Sequence, residues 1–91
     1  MNRKLHISFD KPGLRGIEVL VDDSSICKLR PHQTFDAEIS EKEHEIRVKL
    51  GGFPIFKGAV AAGDNDWTFS YEKEFGSFTL YENKPFYGKK L

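Results

Sequence analysis

The feature that most restricts this chain is the period of its apolar residues, which is two almost everywhere. Leu5, Ile7 and Phe9 alternate with Lys4, His6 and Ser8, and Ile17, Val19 and Val21 alternate with Glu18, Leu20 and Asp22. The same spacing recurs in Phe35, Ala37 and Ile39, in Ile46, Val48 and Leu50, in Trp67, Phe69 and Tyr71, and in Phe78 and Leu80. Successive side chains of an extended strand point to opposite faces, so each segment gains one core side and one wet side. No window of eleven or more residues carries the 3.6-residue period of a helix. The chain reads as all β.

Turn-forming residues interrupt the alternation at short intervals. They are Lys11-Pro12-Gly13, Asp22-Asp23-Ser24-Ser25, Arg30-Pro31, Ser40-Glu41-Lys42-Glu43, Gly51-Gly52, Gly63-Asp64-Asn65-Asp66 and Phe75-Gly76. Turn signals every 8–12 residues or roughly so mark a small sandwich or barrel. Strands are expected over 3–10, 16–22, 25–29, 33–40, 44–50, 54–62, 66–73 and 77–82. The expected fold is a single antiparallel β-sandwich of seven to eight strands with Greek-key-like connections. It is expected to form one domain over 1–91, with 83–91 as a loose tail or an added edge strand. One hairpin can be registered from its loop. A turn centred on Glu41 and Lys42 sets Phe35 opposite Val48 and Ala37 opposite Ile46 on the buried side, with Asp36 facing Arg47 in water.

Composition narrows the partners. Val, Ile, Leu and Phe supply 25 of the 91 residues, above the roughly 20% level below which chains tend to stay disordered. Fourteen basic side chains cancel fourteen acidic ones, nine of each before residue 51 and five of each after it. A nucleic-acid binder normally carries a basic excess, so nucleic acid is not an expected partner. Charged and polar residues follow Met1 at once (Asn2, Arg3, Lys4, His6), so no secretory core is expected there. No apolar run approaches the roughly 20 residues of a membrane span. The single cysteine, Cys27, cannot form an intrachain disulfide, which fits a reducing cytoplasm.

Residues 17–60 carry a recognisable sequence of elements. Val19-Leu20-Val21-Asp22-Asp23 forms a strand and turn, and Ile26-Cys27-Lys28-Leu29-Arg30-Pro31 a strand and Pro-containing link. Phe35 to Ile39, His44-Glu45-Ile46-Arg47-Val48 and Gly52-Phe53-Pro54 follow. This order resembles the PEGA-type repeat, a small β-sandwich module often found in bacterial surface or envelope proteins. The likeness covers about half the chain, and its motifs are structural rather than catalytic. Asp23, Cys27 and Glu43 stand where that pattern usually has glycines or other small residues. Asp tolerates the left-handed conformation, so Asp22-Asp23 can still close a tight hairpin. The resemblance implies a β-sandwich and, in function, attachment or binding at surfaces.

No residue set has the spacing of an active site. His6, His32 and His44 share no i, i+2 or i, i+4 relation, and Cys27 offers one soft ligand, so neither metal nor cofactor is expected. His44 falls on an inward position and reads as a half-buried edge histidine. Cys27 reads as small apolar filler, because its neighbour Lys28 points to the opposite face. The carboxylates Glu72, Glu74, Asp64 and Asp66 sit at loops and strand ends, where solvation explains them. Gly51-Gly52 lacks the helix and the Lys-Ser/Thr of a phosphate loop. No enzyme is expected.

The aromatics are the remaining signal. Eight of the twelve fall from Trp67 onward. Alternation sends Trp67, Phe69, Tyr71 and Phe78 inward as core. Tyr81, Phe86 and Tyr87 are left at the C-terminal edge, where they either pack the tail or form an interaction surface. The expected function is a small non-enzymatic interaction or accessory module acting through a sheet edge or aromatic patch, on a protein partner or a second copy. The alternative is a carbohydrate- or envelope-binding module of the PEGA-like type.

Overall fold

The computed structural model describes residues 2–10, 16–72, 74 and 76–83. They form eight strands and no helix: β1 (Arg3–Phe9), β2 (Ile17–Val21), β3 (Ser24–Leu29), β4 (Gln33–Ile39), β5 (His44–Leu50), β6 (Phe53–Val60), β7 (Trp67–Glu72) and β8 (Ser77–Glu82). These lie within two residues of the segments expected from alternation alone. They assemble into two four-stranded sheets, ordered β4-β1-β7-β8 and β3-β2-β5-β6. The expected 83–91 tail lies outside the described residues except for Asn83.

The two sheets bury one apolar cluster between them. Leu5, Ile7, Phe9, Ala37, Ile39 and Phe69 come from one sheet, and Ile17, Val19, Val21, Leu29, Ile46, Val48 and Val60 from the other. Aromatic rings fill the β6–β8 side. Phe69 meets Phe56 edge-on at 5.0 Å and stacks on Phe78 at 5.4 Å, while Phe78 stacks on Phe9 at 6.1 Å. Gly58 makes room there, since a Cβ would lie 3.0 Å from the Phe56 ring and 3.2 Å from Leu80.

Two tight turns explain two of the hairpins. Asp22 and Asp23 take φ of 51° and 67° between β2 and β3, and Gly51 and Gly52 take 57° and 88° between β5 and β6. Positive φ at both central positions is what a two-residue loop needs to match strand twist. Glycine adopts it freely and aspartate tolerates it.

The strand partners differ from expectation at β4 and β5. They do not form a hairpin. β4 pairs with β1, setting Ala37 against Leu5 and Asp36 against His6. β5 pairs with β2 and β6, setting Ile46 against Val21 and Val48 against Val19. Ala37 and Ile46 are both buried, as alternation requires, but they enter the core from opposite sheets. Period two fixes which face of a strand is apolar and leaves its partner open. The arrangement is also not wholly antiparallel, because β1 and β7 run parallel, with Leu5 beside Trp67 and Ile7 beside Phe69. Phe35 is a further correction. It has the inward position yet is 38% exposed, because β4 is an edge strand with a neighbour, β1, on one side among the described residues.

Arg3 holds the crossing from β4 to β5. It is 3% exposed, and its guanidinium donates to the carbonyls of Ser40 at 3.1 Å, Lys42 at 2.8 Å and Asn65 at 3.4 Å. The Gly63 N–H adds a bond of 2.9 Å to the Glu41 carbonyl. One planar cation thus ties the β4–β5 loop to the β6–β7 loop.

Candidate interaction surface

The outer face of the β4-β1-β7-β8 sheet is built from the polar half of each alternation. Across the sheet, Asp36, His6, Thr68 and Tyr81 form one row, each opposite the next in register. Tyr81 ends the row on the edge strand β8 and is 47% exposed. Its strand end is pinned. Asn83 donates its backbone N–H to the Asp66 carbonyl at 2.8 Å and its side-chain amide to Thr68 Oγ1 at 2.8 Å. Asn65 Nδ2 donates to Glu82 Oε2 at 3.1 Å. Of the three residues expected to form the surface, Tyr81 is exposed where alternation puts it, and Phe86 and Tyr87 lie outside the described residues. Phe53, which is 75% exposed directly after the Gly51-Gly52 turn, is not among the residues expected from alternation. Its position at a hairpin tip was the available signal.

The histidines are not isolated, although no spacing announces their partners. His6 Nδ1 lies 2.8 Å from Asp36, His32 Nδ1 2.9 Å from Asp10 and His44 Nδ1 2.6 Å from Asp22. Register makes the first pair, and the turns between strands make the others. His44 is the most enclosed, with 12% of its side chain exposed, and it sits on the interior strand β5 rather than at an edge. Its Nε2 lies 3.0 Å from Ser40 Oγ and 3.1 Å from the Ser40 carbonyl. The order Asp22, His44, Ser40 is that of an acyl-transfer triad. Here the serine is folded into its own turn, where its hydroxyl also accepts the Lys42 N–H at 3.4 Å and its carbonyl also accepts from Arg3. The three side chains work as a clasp between the β2–β3 and β4–β5 turns. Among the described residues, no group of three His, Cys, Asp or Glu is placed to hold a metal ion. No described helix could cross a membrane.

The clasp has a pH consequence. The His44 ring, and then the Glu45 N–H at 2.9 Å, hold the Asp22 carboxyl below the usual carboxylate range. A carboxyl depressed by folding contributes stability above its unfolded pKa of about 3.9, and that contribution disappears as pH falls through the folded value. Asp22→Asn keeps a residue that tolerates positive φ but removes the charge. Urea melts are expected to show a loss of about 0.5–1.5 kcal/mol at neutral pH. The variant and parent curves should converge once pH has fallen through the depressed folded value.

Cys27 is half-buried against the core, and burial pushes its thiol up to about 11. At neutral pH almost none is thiolate, so modification by a thiol reagent should be slow in the native protein and fast in urea. Cys27→Ala is expected to lose about 1 kcal/mol or less. Fast native labelling would mean an exposed, activated thiol.

Compared with family models, curated proteins and solved structures, the chain matches none.

Proposed function

We propose that the chain is a non-enzymatic interaction module, a β-sandwich with Greek-key-like connections that associates through the edge of β8, which pairs with no second strand among the described residues. The observation that carries this reading is the unequal protection of the four sheet edges. Unpaired edge groups invite another strand unless Lys, Pro, bulges or charges intervene. β3 carries Lys28 and a register shift at Ile26. β6 carries Pro54, Lys57 and a register shift at Ile55. β4 presents two carboxylates, Asp36 and Glu38. β8 pairs with β7 without a shift over Ser77–Glu82 and contains no Lys or Pro, and its one carboxylate, Glu82, lies at the strand end and accepts from Asn65. It adds the exposed Tyr81, a ring type favoured at interfaces because it offers large area at small entropic cost.

The occupant of this edge is a strand of a second copy, in a reducing, cytoplasmic setting consistent with the lone Cys27. Light scattering on the intact chain should give a dimer mass, and Tyr81→Lys should give the monomer. A parent monomer, or a dimer indifferent to Tyr81→Lys, defeats the proposal.

One observation favours the carbohydrate-binding alternative of the PEGA-like type. Tyr81 ends a row whose other members, Thr68, His6 and Asp36, are hydrogen-bonding side chains, the pairing of ring and polar groups that sugar faces require. Neutral glycans would then shift aromatic fluorescence in the parent and not in Tyr81→Ala.

A further inference from the structure

The chain is neutral overall and neutral by halves, yet the fold does not spread its charges evenly. On the outer face of the β3-β2-β5-β6 sheet, register sets Lys28 of β3, Glu18 of β2 and Lys49 of β5 in one row. Arg30 follows the end of β3, and the Gly51-Gly52 turn follows β5. Together with Gly16 and Gln33 these residues line an open recess of about 730 Å³. Three cations therefore share one recess with a single carboxylate. Among the described residues, none of Glu18, Lys28, Arg30 and Lys49 makes an ion pair within 4.0 Å. Elsewhere on this face the cations are engaged, since Arg47 lies 2.9 Å and Lys57 3.6 Å from Glu45. The floor is accessible as well. A Cβ at Gly51 or Gly52 would meet no atom within 4 Å among the described residues, so the turn has open space beside it. Successive N–H groups in turns form anion-binding concavities.

We infer that this recess is a binding site for a tetrahedral oxyanion carried on a small molecule, a phosphate monoester or a sulfate ester. Lys28 and Lys49 flank the anion from either side, Arg30 offers a two-pronged donor, and the glycine turn offers main-chain N–H groups beside open space. Glu18 opposes them and limits the affinity. The site is separate from Tyr81, which belongs to the other sheet.

The test is an amide NMR titration with inorganic phosphate and, separately, with sulfate, at ionic strength held constant with chloride. Saturable shifts centred on Gly16, Gly51 and Gly52 are expected. The tighter of the two anions identifies the ester class, and equal binding identifies the tetrahedral oxyanion itself. Lys28→Gln with Lys49→Gln should weaken binding about tenfold, whereas Glu18→Gln should tighten it about threefold. Because these side chains lie on the outer face, the same spectra verify that each variant is folded. Shifts that never saturate, that spread over lysines remote from the recess, or that ignore Glu18→Gln overturn the assignment.

Discussion

Phe69→Ala is expected to cost about 3–5 kcal/mol, the largest loss of any single truncation in this fold. Phe69 is fully buried at the centre of β7, and its ring contacts Phe56 from the opposite sheet and Phe78 from the neighbouring strand. Removing it leaves a cavity bounded by both sheets, which the rigid ladders on either side cannot close. A domain of this size holds about 5–10 kcal/mol in total, so the variant should melt at much lower urea or fail to accumulate as folded protein. Ile46→Ala, also at full burial, belongs to the same class at about 2–5 kcal/mol. Phe35→Ala does not. Its ring is 38% exposed, and a loss of about 1 kcal/mol or less is expected. A chemical-denaturation series in which Phe69→Ala costs no more than Phe35→Ala would refute the assignment of the core.

Arg3→Met should cost about 2–4 kcal/mol, although the stem volume is kept. The substitution strips a charged donor from the carbonyls of Ser40, Lys42 and Asn65 at a site that is 3% exposed. Hydrogen bonds to charged groups contribute about 1.5–3 kcal/mol each, and partly buried acceptors left bare recover only some of that from water. Arg3→Lys should recover only part, since an ammonium lacks the planar fork that reaches two loops at once. The diagnostic readout is local. Amide exchange at Glu41, Lys42 and Gly63 should accelerate in both variants while the β2–β5 ladder stays protected. Uniform acceleration would mean that Arg3 merely fills space.

Alternation is most informative where a single strand suffices. Alternation located all eight strands and gave the correct face for Leu5, Ile7, Val19, Ile46, Val48 and Phe69, because a residue's face depends only on its own neighbours. Asp22-Asp23 and Gly51-Gly52 were legible as turns for the same local reason. Partnership was not. The β4–β5 connection has the length and flanking pattern of a hairpin, yet it carries the chain from one sheet to the other, fastened by Arg3 from far upstream. Nothing near residues 40–43 encodes that cation. The site features fail the test of locality in the same way. His6 and Asp36 are 30 positions apart and become neighbours only through the β1–β4 register, and Lys28 joins Lys49 only across β2. Tyr81 was legible because alternation alone turns it outward on the last described strand.

The central claim, association through the β8 edge, is tested most directly by sedimentation velocity on the intact chain and on its Tyr81→Lys variant. Near-ultraviolet circular dichroism and a urea melt would run in parallel. The intact chain should sediment as a dimer, and the variant as a monomer whose spectrum and cooperative melt match the parent's. Assembly unchanged by the substitution would put the interface elsewhere, and a parent that sediments as a monomer would remove the association itself. Either result contradicts the account.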